Sequence, residues 1–412
     1  MDPALSQRSL ASDRSRRAEP AGLTGLAGRM VRRLQDAYAR LAAEAGGERL
    51  PAFRLTLDDG AAVRFGDGEP AFELAVRNRA GRAALTSGDE TRVAEAYMAG
   101  DLDVEGDLLA LLALRGLLGD RHPLRALWAK VLHPLVFGQA RSDRRWVAQH
   151  YDAESDFYLL FLDRRRCYSH GLFAGDDEPL DDAILRKLDF ALAAVDARPG
   201  QQVLDIGAGW GAMTEHAGRR GIRVTSLTIS EPSERYVEAL IREQNLPCRV
   251  LREHLLEYAP GDGERFDAIV NLGVTEHLPD YAATLAQYRR LLKPGGKVYL
   301  DACSSPVKFP FSSFVYRYIF PGNATPMCLH DYLTEVAKTP FEVLAVHNDR
   351  HSYELTCRHW AENLERARDE IVARWGQTLF RRFQLYLWGC VDVFQRNVMG
   401  AYRVILQLPA GG

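Results

Sequence analysis

The segment Val203–Gly211, VLDIGAGWG, restricts this 412-residue chain more than any other. An apolar strand with one acid, Asp205, runs directly into Gly207, Gly209 and Gly211 and then into a helical pattern. Glycines at the carboxyl end of a strand permit positive φ and let the backbone approach a ligand closely, where open α/β sheets bind small molecules. The spacing is GxGxG, not the GxGxxG of a dinucleotide turn, and no GxxxxGK[ST] occurs at this turn to cradle a nucleoside triphosphate. Asp205 followed by such a turn fits a small zwitterionic ligand such as S-adenosylmethionine; a buried structural acid is the plainer alternative.

The surrounding pattern extends this unit into a fold. QVLDI, RVTSLTIS, CRVLRE, FDAIVNLG and KVYLDAC alternate with helical stretches from about Leu185 onward, which predicts an α/β, doubly wound parallel sheet. Thr228 and Ser230 put hydroxyls at the end of the second strand, where a ribose would lie. Glu276 and His277 follow the fourth strand in NLGVTEHLPDY, and LKPGGKV, Leu292 to Val298, stops a helix before the next strand. This order of features is that of the Rossmann-like class I methyltransferases.

Upstream, residues 1–20 are rich in Arg, Ser, Asp and Pro and read as a disordered tail. Residues 21–118 read as a small α+β domain. FRLTLDDG and AAVRFGDG each end in Asp-Gly and, with AFELAVRN, predict strands, while TRVAEAYMAGDLDVEGDLLALLAL reads as helical. Leu26, Met30, Leu34, Tyr38 and Leu41 recur at helical spacing with Arg32, Arg33 and Arg40 between them. That helix is expected to pack on its own domain, with a membrane-surface role as the alternative. Residues 119–148 form a basic linker around LRALWAKVL, suited to covering its own domain or docking on anionic lipid. Residues 149–412 complete the catalytic domain.

Composition narrows the partners. With 52 basic and 55 acidic residues and a net charge of -3, the chain lacks the basic footprint of nucleic-acid binding. Six scattered cysteines without a CxxC pair predict reduced thiols, a cytoplasmic setting and no metal site. No apolar run reaches the ~18–20 residues that span a bilayer, so membrane contact is expected to be peripheral. The first residues offer no apolar core for a secretion signal.

The block HYDAESDFYLLFLDRRRCYSHGLF, His150 to Phe173, is unusual for a generic methyltransferase. Together with EAYMAGDLDVEGDLLALL, FVYRYIFPGNATP and HNDRHSYELTCRHW, it resembles the cyclopropane-fatty-acyl-phospholipid synthase family, the mycolic-acid-cyclopropane-synthase-like methyltransferases, over most of the chain. The resemblance implies transfer of a methyl group from S-adenosylmethionine to a cis double bond in the unsaturated acyl chains of phospholipids, and loss of a proton from the resulting cation to close a ring. It also implies work at the inner face of the membrane, an acyl-binding insertion in the catalytic domain, and a homodimer as found among the longer members. Tyr168, Ser169, Gly207, Gly209, Gly211, Thr228 and Ser230 match its cofactor positions, and Glu276 and Tyr353 its catalytic ones. Phe309, Phe311, Phe314, Tyr316, Tyr318 and Phe320, with Tyr353 and Tyr386, offer aromatic faces that could stabilise a cation.

Departures from the family pattern bear on the proton acceptor. His170 stands where the ring-forming members have Cys, Asp301 where they have His, and Cys303 where Ile is usual. Those members hold bicarbonate as the base; an acid at 301 would repel that anion, which argues against bicarbonate held in the usual way. The expected acceptor is then a protein group, Glu276, His170 or Asp301, and the expected product a methyl-branched unsaturated chain in preference to a cyclopropane. Simple replacement of the cysteine's volume by His170, with chemistry unchanged, is the alternative. Ser233 and His254 replace a Gln and an acid on the adenosine side. Methylation of a soluble small molecule, or lipid binding without catalysis, are the competing functional readings.

Overall fold

The computed structural model describes residues 25–47, 49–119, 155–261, 263–308, 310–320 and 324–411. The expected tail, nearly all of the basic linker and Phe309 lie outside them. The N-terminal unit is a four-stranded sheet in the order β2-β1-β3-β4 with four helices. Helix α1 spans Gly25–Glu44, and β1 (Phe53–Thr56) pairs antiparallel with β2 (Ala62–Phe65) across a turn in which Gly60 takes φ 83°. Strand β3 (Phe72–Val76) lies parallel to β1. On α1, Met30, Val31 and Leu34 are buried among Phe53, Leu55 and Phe65, while Arg29, Arg32, Arg33 and Arg40 face outward. The apolar stripe is thus spent on its own core.

The stretch read as continuous helix is α3 (Glu90–Ala99), β4 (Leu102–Gly106) and α4 (Leu108–Ala113), preceded by α2 (Arg79–Ser87). Gly100, at φ 85°, ends α3 in the left-handed conformation that glycine adopts without strain. Leu-Asp-Val-Glu then pairs antiparallel with β3, and Asp107 caps α4 by accepting from the Leu109 and Ala110 amides. An alternation of five residues between two helices is too brief to stand out against their longer period.

The remainder forms a seven-stranded sheet in the order β10-β11-β9-β8-β5-β6-β7. Helices α5 (Ser155–Leu159) and α6 (Leu180–Ala194) precede β5 (Gln202–Ile206); α7 (Ala212–Gly218), β6 (Arg223–Thr228), α8 (Glu231–Gln244) and β7 (Arg249–Arg252) follow. Then come β8 (Phe266–Leu272), α9 (Tyr281–Leu291), β9 (Leu292–Ser304), α10 (Ser313–Tyr318), α11 (Leu329–Val336) and β10 (Glu342–Asn348). Three helices, α12 (Arg350–Arg366), α13 (Arg368–Trp375) and α14 (Gln377–Gln395), lead into β11 (Gly400–Gln407).

Five strands are parallel as expected, but β11 runs antiparallel to both β9 and β10, so the sheet is mixed. Helices cover both faces. Ile184, Leu188, Leu364 and Phe383 belong to one core; Leu285, Tyr288 and Tyr332 belong to the other. Among the described residues no helix is long and apolar enough to cross a membrane.

Helix α14 joins the two units. Buried Arg381 donates to the carbonyls of Tyr97 (2.7 Å) and Leu102 (3.0 Å) and to Asp103 Oδ1 (2.9 Å). Glu95 receives Tyr318 Oη at 2.7 Å and pairs with Arg317 at 2.6 Å. Farther along α14, Gly389 sits in the helix interior, where glycine costs about 1 kcal/mol relative to alanine.

Candidate active site

The turn after β5 is shaped by its glycines and by the neighbouring strand. The Gly207 and Ala208 amides donate to the Leu227 carbonyl at 2.9 and 2.7 Å, which curls the chain over the end of the sheet. Gly207 has φ 83°, and a Cβ there would collide with Val274 Cγ2. The cleft so formed has a volume of about 140 Å³, and Tyr168, Ser169, Asp205, Gly207, Gly209, Thr228 and Ser230 all line it. Gly211 does not. It takes φ 81° at the start of α7, where a Cβ would press on Leu240 Cδ2 at 2.6 Å.

Asp205 is buried, and burial pushes its carboxyl up to about 7, opposed by the Ser226 hydroxyl that donates to Oδ2 at 3.0 Å. A cationic ammonium beside it would draw it back to the carboxylate. Ser230 caps α8, while Ser233 Oγ donates to the Gly209 carbonyl at 2.7 Å and fixes the loop from the far side. Ser233 and His254 both line the cleft, in keeping with a rearranged adenosine side. These residues therefore fit S-adenosylmethionine: an acid deep in the cleft, hydroxyls along its edge and a turn that tolerates no added Cβ at Gly207.

A second chamber of about 90 Å³ adjoins the cleft and shares Tyr168, Gly273 and His277 with it. Its walls are mainly aromatic or sulfur-bearing: Phe311, Phe320, Tyr353, Trp360, Tyr386, Phe394, and Cys303, Cys357 and Cys390. No Lys or Arg lines it among the described residues. The turn after β8 delivers Glu276 here. Glu276 Oε1 accepts from the Cys303 amide at 2.7 Å, whereas buried Oε2 has no hydrogen-bond partner among the described residues. Burial pushes this carboxyl up to about 7 against the pull of the backbone amides and the Cys303 thiol, with the Asp301 charge adding to the rise. Burial, then the Glu276 charge, holds the Cys303 thiol well above its ordinary value.

Of the four catalytic candidates, Glu276 and Tyr353 line the chamber; His170 and Asp301 do not. His170 is fully buried behind Tyr353, ring centroids 4.8 Å apart, with Nε2 at 3.1 Å from Asp349 Oδ2. Arg403 clamps that same carboxylate through two hydrogen bonds, of 2.5 and 3.0 Å. Burial works to raise the Asp349 carboxyl, but His170 and the Arg403 guanidinium outweigh it and hold it below the usual range. Phe394 stacks on the Tyr353 ring at 4.6 Å, so one ring is fixed from two sides.

Asp301 is tied up elsewhere. Its Oδ2 lies 3.1 Å from Lys187 Nζ and accepts from Tyr299 Oη at 3.3 Å, and both charged side chains are fully buried. Lys187 also donates to Ser169 Oγ, on the wall of the cofactor cleft. Burial alone would lower the ammonium, but the Asp301 carboxylate outweighs it and keeps Lys187 protonated. The expected repulsion between Asp301 and an anion is therefore offset by the Lys187 cation, 114 positions away in the chain. Of the aromatic run, Phe311 and Phe320 reach the chamber, Phe314 lines a neighbouring cavity, and Tyr318 is engaged by Glu95.

Residues 139–404 match the family model for mycolic acid cyclopropane synthetase. The chain belongs to that family. Residues 50–115 match a domain of unknown function. Cyclopropane mycolic acid synthase 3 of Mycobacterium tuberculosis is 32% identical over 270 residues, covering 61% of this chain and 92% of that one. A probable fatty acid methyltransferase of Pseudomonas putida is 27% identical over 377 residues, covering 86% and 92% respectively. The structure of the cyclopropane mycolic acid synthase CmaA1 with SAH and CTAB superimposes with a TM-score of 0.59 at 27% identity, covering 64% of this chain and 98% of the other. As a family member the chain is an enzyme, a methyltransferase that uses S-adenosylmethionine as methyl donor and modifies lipid.

Proposed function

We infer that the enzyme methylates a cis double bond in the acyl chains of membrane phospholipid, and that Glu276 takes the proton. The supporting observation is the buried carboxylate of Glu276 in an aromatic chamber that shares a wall with the cofactor cleft. S-adenosylmethionine, held by Asp205, the Gly207–Gly209 turn and the Thr228–Ser230 edge, supplies an electrophilic methyl group. An alkene is a weak nucleophile, so the chain's main task is to align it in a dry slot. With the donor bound, the alkene π pair would form the new carbon–carbon bond as the methyl–sulfur bond breaks, its electron pair staying on sulfur to leave neutral S-adenosylhomocysteine, and the neighbouring chain carbon would become cationic. Faces of Tyr353, Trp360 and Tyr386 stabilise that charge. Glu276 then accepts a proton from the adjacent chain carbon, the C–H pair becomes a new double bond, and a methyl-branched olefin results. A carboxyl that titrates near 7 suits this role at neutral pH. His170, Asp349 and Arg403 act as positioning residues by fixing Tyr353.

Phospholipid is favoured over a soluble substrate by the apolar chamber and by likeness to a fatty acid methyltransferase along 86% of the chain. The outward arginines of α1 suit contact with an anionic cytoplasmic membrane face. Incubation with methyl-labelled S-adenosylmethionine and vesicles of dioleoyl phosphatidylglycerol is expected to place label in the lipid. Binding to these vesicles should weaken at ~1 M salt, where the screening length falls to about 3 Å. Label in soluble small molecules but not in lipid would contradict the assignment.

A further inference from the structure

An apolar cavity of about 620 Å³ lies between α14 and the N-terminal unit. It adjoins the aromatic chamber, sharing Phe311, Tyr386, Cys390 and Met399 with it. Its other wall is the N-terminal unit: Val93 and Ala94 of α3, Leu111 of α4, and Phe72 and Leu74 of the sheet. The size lies within the ~300–1,000 Å³ typical of sites that enclose a small-molecule ligand.

Two further features mark the space as kept open. Gly389 lines it from the interior of α14, and a Cβ built there would meet no atom within 4 Å. Glycine is a poor helix former, and no neighbouring atom accounts for it here. The cavity's edges are held by the buried Arg381 hydrogen bonds and the Glu95 contacts with α10, which fix the N-terminal unit at this distance.

We propose that the N-terminal unit is the outer wall of the acyl slot: one arm of the substrate chain, on one side of the double bond, runs past Tyr386 and Met399 into this cavity. The proposal rests on the lipid reading above and assigns a substrate-binding role to the unit matched by the domain of unknown function. It makes that unit the part of the enzyme that measures chain length.

The test uses the full chain, methyl-labelled S-adenosylmethionine and phosphatidylglycerol vesicles. Gly389→Phe and, from the opposite wall, Val93→Phe are compared with Gly389→Ala. Substrates are the oleoyl lipid and two series of synthetic monoenoic lipids, shortened by a few methylenes either beyond the double bond or between it and the carboxyl. The Phe variants should lower kcat/KM for oleoyl lipid roughly tenfold or more. Shortening the chain in one of the two series should restore turnover, while affinity for S-adenosylhomocysteine stays at the wild-type value. Gly389→Ala, the control for folding, should be at least as stable as wild type. Equal losses on every chain length, or no loss at all, would overturn the proposal. Failure of the wild type to label any of the lipids would instead overturn the lipid reading.

Discussion

Glu276→Gln should lower the rate of olefin product formation by about 10²–10⁴-fold, the range for removing a general base, while cofactor affinity stays within about twofold. The amide keeps the volume and can still accept the Cys303 amide hydrogen bond at Oε1, so geometry survives and only the proton acceptor is lost. The wild-type rate should rise with pH and level off above about 7, because the carboxylate is the active form. The same group costs stability. Its folded value, about 7, lies above the ordinary 4.5, so the folded enzyme holds a proton that the unfolded chain releases between those pH values. Wild-type stability therefore falls, relative to the Gln variant, as pH rises from 4.5 through 7. At 1.36 kcal/mol per unit the full difference is about 3 kcal/mol above pH 7 and vanishes below 4. Denaturant titrations of both proteins at pH 5 and pH 8 measure it. A gap that did not widen with pH would mean that Glu276 is ionised at no cost.

The second large effect concerns Lys187. Removing one partner of a fully buried ion pair strands the other, which typically costs 3–5 kcal/mol. Lys187→Met should accordingly lower Tm by about 3–6 °C and weaken cofactor binding, since Ser169 loses its donor on the cleft wall. Adding Asp301→Asn removes the stranded charge and still offers an acceptor to Tyr299, so the double variant should recover much of the loss. A double variant no more stable than Lys187→Met would show that Asp301 is not held charged by this lysine.

Much of the cofactor half of this site is legible in the sequence because its signals are local. Gly207, Gly209, Asp205, Thr228 and Ser230 fall at strand ends that alternation locates, and each reaches the cleft; Gly211 instead packs on α8. The reacting half depends on contacts between distant segments. Lys187 reads as an ordinary basic residue on an amphipathic helix; only the register that brings Asp301 beneath it shows a buried pair. His170 and Asp349 lie 179 positions apart, so the tether that holds His170 away from the chamber has no sequence signature. Cys303, Cys357 and Cys390 look scattered because a strand and two helices bring them together. Strand direction is likewise silent. β11 has the alternation of any buried strand, and the helices α12–α14 that precede it would equally suit a parallel crossover.

Proton loss from the lipid chain to Glu276 is tested most directly by the fate of the methyl hydrogens. With S-adenosylmethionine carrying a fully deuterated methyl group and oleoyl lipid as acceptor, mass spectrometry of the product should find all three deuterons retained, with NMR showing an olefin bearing a methyl branch. A product that keeps only two deuterons and shows a cyclopropane resonance would mean that the proton leaves from the transferred methyl, and would contradict this account.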